Sequence, residues 1–255
     1  MVPLKDENPI RITPYVTYGL IAVNVLIFLF ELSLSPRGLS RFFNQWAIVP
    51  KELTLSLQTG LGAPNLSEWI TLVSSQFLHA GFLHVGGNML YLWIFGNNLE
   101  EQMGRWRFLS FYLLCGVLAG LAQCYFNTDS AVPSLGASGA IAGVMGAYIF
   151  RFPKVKILTL IPFGIFFYTL RIPALLYLGF WFVQQAFYGV ASLEAPATVG
   201  MEGGGVAYWA HAGGFAFGAL LGPMFGLFGE DTQLEEQLAA IAENPFADRS
   251  DDTQT

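Results

Sequence analysis

The chain is expected to be an all-α membrane protein built on six transmembrane helices, and three observations lead there. Of its 255 residues, 54% are hydrophobic and only 12% are charged, with a mean hydropathy of +0.50, a composition well outside that of soluble domains. Six apolar runs are long enough to cross, or nearly cross, a hydrocarbon core of about 30 Å as helices. The basic residues fall mainly in alternate connections between these runs, the pattern of a multi-pass membrane protein.

Taken in order, residues 1–16 form a short polar leader holding Lys5, Asp6, Glu7 and Arg11. The first span, 17–34, is too long for a signal-peptide core and lacks an Ala-x-Ala cleavage pattern, so it stays in place. Its Asn24 is expected to pack against another helix. Residues 35–75 are the longest connection, with Pro36, Pro50, Pro64 and an amphipathic piece over 41–46; a loop of that length in a bundle is expected to be a structured element lying at the membrane interface. The second span, 77–96, carries His79, His84 and Asn88, and the third runs over 108–126. The fourth, 136–150, ends at Arg151 and Pro153; the fifth and sixth cover 173–190 and 206–228. The domain organisation is then a leader (1–16), a six-helix membrane domain (17–228) and a tail (229–255).

Six spans put both termini on one side. Placing that side in the cytoplasm assigns nine of the twelve basic residues to it, leaving Arg37, Arg41 and Lys51 in the long first connection. The expected location is a bacterial cell inner membrane. From Glu230 onward eight acidic residues face Arg249 alone, against ten acids and eleven bases before it, so the net charge of −6 belongs to an acidic tail expected to be disordered. No basic patch suggests nucleic acid. Cys115 and Cys124 stand nine apart in one apolar run without metal or CxxC spacing, and read as packing residues.

The stretch 136–148, Gly-Ala-Ser-Gly-Ala-Ile-Ala-Gly-Val-Met-Gly-Ala-Tyr, organises the rest. Gly139 and Gly143 lie four apart, on one helix face that admits a close neighbour. Ser138 falls in the first turn, where free N–H groups and the positive helix end favour a developing anion. By itself it reads equally as a small packing residue or an N-cap. Its partners favour chemistry. Counting about 1.5 Å per residue from Arg151, Ser138 stands about 20 Å up, roughly 10 Å below the outer edge of the core. His84, counted from Asn97, reaches the same height, with Asn88 one turn deeper on the same face. His211 stands near the outer end of the sixth span, followed by Gly214, Gly218 and Gly222, a stripe able to meet Gly139 and Gly143 and so bring His211 beside Ser138. A histidine in reach can take a serine's proton, while His84, the Asn88 amide and the Ser138 N–H could receive the oxyanion. No Asp or Glu lies in the second, fourth or sixth span, so the unit would be a Ser-His dyad. Because Gly139 directly follows Ser138, the G-x-S-x-G elbow is absent.

These residues resemble the rhomboid family of intramembrane serine proteases. Phe77-Leu78-His79-Ala80-Gly81 with His84 and Asn88-Met89, then Phe95-Gly96 leading to Glu100 and Gly104, then Gly136-Ala137-Ser138-Gly139, then Ala210-His211-x-Gly213-Gly214 agree in order over about residues 17–228. The resemblance implies a six-helix rhomboid core, Ser138 as nucleophile, His211 as general base, His84 and Asn88 as oxyanion donors, and a structural His79. There are two departures. Trp69 is followed by Ile70 where many members have arginine, and Ala142 stands one turn after the serine where some members place a tyrosine on the histidine. The implied activity is hydrolysis of peptide bonds in or beside the transmembrane segments of single-span proteins, with the lipid bilayer as medium and no cofactor, metal or nucleic acid. Oligomeric state is left open. The main alternative is a catalytically inactive relative that binds and escorts transmembrane clients. A metal site of His79, His84 and His211 is disfavoured because positions 79 and 84 diverge by about 140° around a helix. A transporter is disfavoured because the spans show neither an inverted repeat nor a charged residue at mid-membrane.

Overall fold

The computed structural model describes residues 1–59, 66–164, 166–194 and 207–228; the tail expected over 229–255 lies outside them. Nine helices are seen among the described residues: α1 (Tyr15–Ser33), α2 (Pro36–Trp46), α3 (Pro50–Thr59), α4 (Leu66–Ser74), α5 (Phe82–Met103), α6 (Arg105–Phe126), α7 (Ser138–Arg151), α8 (Ala174–Glu194) and α9 (Tyr208–Leu221). Short 3₁₀ turns cover Ser75–Phe77 and Gly222–Phe225. Helices α1 and α5–α9 overlap the six apolar runs, but the expected second span of 77–96 is displaced: α5 begins at Phe82, after His79, and continues to Met103, while α9 gives way to a 3₁₀ turn at Gly222. The connection over 35–75 is built from α2, α3 and α4, as its length and prolines imply.

The expectation of an all-α chain needs correction. A three-stranded antiparallel sheet, ordered β1 (Val2–Asp6), β2 (Lys156–Phe163) and β3 (Phe166–Pro173), joins the leader to the connection between α7 and α8. The reason is local: residues 156–173 combine Ile, Thr, Phe and Tyr with Pro162 and Gly164, a composition that favours extended pairs around a turn. The leader is recruited as the third strand by β2, pairing Val2 with Leu160 and Asp6 with Ile157.

Among the described residues, α1, α6 and α8 are long and apolar enough to cross a membrane. Helix α5 is long but carries His84, Asn88, Asn97, Asn98 and Glu100. Helices α7 and α9 have 14 residues each, about 21 Å, short of the bilayer core. Short helices of this kind need protein around them. Every residue of α7 from 139 to 149 is buried, because α7 is packed on α9, α6 and α5.

Glycine makes that packing possible. A Cβ on Gly214 would strike the carbonyl of Gly139, one on Gly218 would strike the Gly143 backbone, and one on Gly146 would strike the Phe215 carbonyl. The two glycine stripes therefore meet backbone to backbone. On its other side, α7 presses Gly139 to within 2.7 Å, by its ideal Cβ position, of the Ala119 Cβ on α6. Glu100, fully buried near the end of α5, accepts from the Val16 N–H at 2.9 Å and from the Thr17 N–H and Oγ1 at 2.8 Å each. It caps α1 with a carboxylate at the positive helix end, and so locks α1 to α5. Asn24 is buried as expected, although its amide donates to Leu20 of its own helix at 2.7 Å.

Two predictions follow from this packing. Gly218→Ala should lower stability by about 1–3 kcal/mol, since the methyl meets backbone that cannot yield. Gly87→Ala, with no atom within 4 Å of the new methyl, should be neutral or stabilise by up to about 1 kcal/mol through helix propensity. Denaturant titration in mixed micelles reads both, and equal stability of the two variants would contradict the close contact.

The second concerns Asp6, whose Oδ2 accepts from the Tyr148 hydroxyl at 2.6 Å and the Asn98 amide at 2.8 Å. Burial holds its carboxyl above the usual 3.8, outweighing these hydrogen bonds, which act in the other direction. The folded chain then binds this proton more tightly than the unfolded chain, so stability falls as pH rises from 3.8 through the raised value. Asp6→Asn should flatten that slope in thermal midpoints measured across pH. An unchanged profile would remove Asp6 as its source.

Candidate active site

Ser138 is the first residue of α7, so its N–H is among the four at the helix start that have no intrahelical carbonyl. The preceding turn depends on Gly136, whose φ of 124° is costly for any other residue. Two backbone contacts pin this turn to the first connection. Gly136 donates to the Ser75 carbonyl at 2.9 Å, and Ser134 exchanges hydrogen bonds with Ile48 at 2.7 and 3.0 Å. The first connection thus holds the segment leading into the serine. Ile70, where the arginine was expected from the resemblance, is 49% exposed, and these main-chain bonds hold the connection beside it.

His211, in the first turn of α9, places Nε2 2.8 Å from the Ser138 Oγ. Its Nδ1 lies 2.8 Å from the Gln185 Oε1 on α8. An amide oxygen only accepts, so Nδ1 carries the proton and the Nε2 lone pair faces the serine hydroxyl. One turn before Gln185, the Trp181 ring lies against the imidazole, with centroids 5.6 Å apart. The start of α9 is fixed from α6, where the Gln123 Oε1 accepts from the Ala210 N–H at 3.1 Å.

From α5, the His84 ring and the Asn88 amide close on Gly136. The position of a Cβ on Gly136 would lie 2.6 Å from His84 Nε2 and 3.6 Å from Asn88 Nδ2. The Ala80 N–H donates to His84 Nδ1 at 3.4 Å, which leaves the proton on Nε2, the atom facing Gly136. Asn88 Nδ2 is buried without a partner. A buried donor left without an acceptor is costly unless a ligand receives it, and the Asn88 amide lies beside the turn that leads into Ser138. Against the serine there is also a cavity of about 20 Å³, lined in part by Ser75, Gln76, Ser134 and Gly136, room for one water.

All four residues singled out in the sequence, Ser138, His211, His84 and Asn88, meet at this one place. His79 stays apart from the serine: its N–H donates to the buried Glu31 carboxylate at 3.2 and 3.3 Å, and its ring stands edge-on to His84 at 5.0 Å. Gln185 and Trp181 were missed. The signal was present as Gln184-Gln185, two amides inside an apolar span, where polar groups usually face a partner or a cavity.

Comparison with known proteins agrees with the geometry. The Rhomboid domain model matches residues 66–228, more than half of the chain. The chain is 30% identical over 209 residues to Rhomboid protein 1, mitochondrial, of Saccharomyces cerevisiae, covering 80% of this chain and 51% of that protein. It is 36% identical over 137 residues to Rhomboid protease GluP of Bacillus subtilis, covering 54% and 24%, and 33% identical over 100 residues to the mouse presenilin-associated rhomboid-like protein, mitochondrial, covering 38% and 26%. The chain thus spans about half the length of the yeast relative and a quarter of the other two. Since the yeast and mouse proteins are named mitochondrial, these relatives give the expected bacterial inner membrane no support over an organelle. A domain match that takes in Ser138, His84, Asn88 and His211 alike, together with a relative aligned over four-fifths of the sequence, places this chain in the rhomboid family.

Proposed function

We propose that this chain is an intramembrane serine endopeptidase working through Ser138 and His211. The observation that carries the reading is the 2.8 Å approach of His211 Nε2 to Ser138 Oγ, supported by the unpartnered Asn88 amide near the turn that precedes the serine. In the proposed reaction, the Ser138 oxygen attacks a substrate carbonyl while Nε2 takes its proton. The carbonyl electron pair moves onto oxygen, and the oxyanion is received by His84 Nε2–H, the Asn88 amide and the Ser138 N–H. Collapse breaks the C–N bond as His211 returns the proton to the leaving amine. A water then attacks the acyl-serine by the same route, with His211 again as base. All six apolar helices are assigned as spans, with α7 and α9 short because protein rather than lipid surrounds them. The protein is read as integral and multi-pass, with both termini on one side.

Ser138→Ala and His211→Ala should abolish cleavage of a purified single-span substrate in proteoliposomes while leaving the fold intact. His84→Ala and Asn88→Ala should each lower turnover by about 100- to 1000-fold, the usual cost of losing one oxyanion donor. Full cleavage by Ser138→Ala would refute the mechanism. Wild-type turnover by both donor variants would return them to packing.

The depth of the serine constrains the cut. A helical peptide bond is shielded by its own hydrogen bonds, so the bond attacked about 10 Å below the outer edge must lie where Gly or Pro lets the helix open. Products mapped by mass spectrometry should end in the outer third of the substrate span, beside a small residue, and should follow Gly or Pro when these are moved. Cleavage on the cytoplasmic side, or cleavage indifferent to these residues, would contradict the assigned depth.

A further inference from the structure

Among the described residues no carboxylate orients the site's histidine, yet one helix supplies both an acceptor and an aromatic ring to the imidazole. Gln185 Oε1 stands 2.8 Å from His211 Nδ1, and Gln185 is 7% exposed. Trp181 lies four residues earlier, on the same face of α8, with its ring tilted 34° against the imidazole. Position 142, which could have carried a tyrosine against this ring, is alanine. Helix α8 is in turn packed on α9 through Trp181 and Phe182, which rest on Phe215 with ring centroids at 6.2 and 4.8 Å.

We infer that Gln185 is a positioning residue for His211, doing with an amide what the third member of a serine triad does with a carboxylate, and that Trp181 completes the cradle in place of an aromatic on α7. The inference rests on the serine-protease reading above. An amide oxygen fixes the tautomer because it can only accept, so the Nε2 lone pair stays on Ser138. During attack the serine proton moves to Nε2 and the Nδ1 proton remains donated to Gln185; the amide takes no proton. The neutral acceptor supports the imidazolium less than a carboxylate would, which suits a site within the bilayer, where an unpaired charge is costly. A second consequence concerns α8. Because the histidine's orientation is set from this helix, any displacement of α8 from α9 would release the imidazole along with its acceptor.

A glutamine that merely glues two membrane helices would predict no change in tautomer and no effect confined to turnover. Gln185→Met keeps the side-chain length and removes the acceptor; Gln185→Glu keeps the acceptor and adds a charge. In proteoliposomes, Gln185→Met should lower kcat at least about tenfold with KM unchanged, and Gln185→Glu should recover most of that loss. Among the described residues the titratable group facing His211 is His84 on α5, while Ser138 on α7 and Gln185 and Trp181 on α8 are uncharged neighbours. A carboxylate at 185 favours the imidazolium, so the acidic limb of kcat/KM should move to higher pH in Gln185→Glu. Nitrogen-15 spectra of histidine-labelled protein should show His211 protonated at Nδ1 in the wild type and not uniformly so in Gln185→Met. Wild-type kcat together with an unchanged tautomer in Gln185→Met would overturn the assignment. If the wild type held the Nδ1–H tautomer and Gln185→Met lost it, but no substrate were cut, the protease reading would fall and the positioning role would stand. Should Gln185→Met not fold, the pH limb and tautomer of Gln185→Glu decide, with an unshifted limb counting against the role.

Discussion

The backbone contact between α7 and α9 is the constraint on which the rest of the structure depends. Side chains as small as a methyl at Gly214 or Gly218 would meet the main chain of Gly139 or Gly143, so the two helices approach more closely than ordinary residues permit. That approach sets the height of His211 against Ser138 to within hydrogen-bond reach. It also explains why neither helix is long enough to span a bilayer unaided: α7 begins inside the protein, with its free N–H groups where a serine can use them. The longer apolar helices α1, α6 and α8 are the ones long enough to cross a membrane, and the polar α5 brings His84 and Asn88 to the turn before α7.

Much of this was legible in the residues. The small-residue stripes at four-residue spacing announced a close helix pair, whereas the shared depth of Ser138 and His84 rests on a helix end at Asn97, short of the Met103 at which α5 ends. Histidines in so apolar a chain point to an interior role, and His211 has both ring nitrogens partnered while the His79 ring has neither. Some features were hidden for physical reasons. The β2–β3 hairpin lies in an almost uncharged segment whose alternation is masked by apolar residues on both faces, and it reads as a connection between spans. Its third strand comes from the leader, 150 or so positions away, and no local pattern announces a long-range pair.

The Gln185 contact was hidden for a different reason. An amide in an apolar span points to an interior partner, yet which partner depends on the rotation of α8 about its axis, a tertiary quantity. The fifth span holds no carboxylate, serine or histidine in its apolar run to single it out. Glu100 is the opposite case: the residue stands out in the sequence within a motif, while its role as a cap for α1 depends on the Val16 and Thr17 N–H groups, which only the fold brings to its carboxylate.

The central claim is that the α7–α9 contact assembles a serine nucleophile, its base and two oxyanion donors around one point. The most direct measurement is an experimental structure, in lipid nanodiscs, of the protein after reaction with a small fluorophosphonate. The account predicts a phosphorus atom bonded to the Ser138 Oγ, with the phosphoryl oxygen within hydrogen-bond reach of His84 Nε2 and Asn88 Nδ2. An adduct on another residue, no adduct at all, or a phosphoryl oxygen turned away from both donors would contradict it.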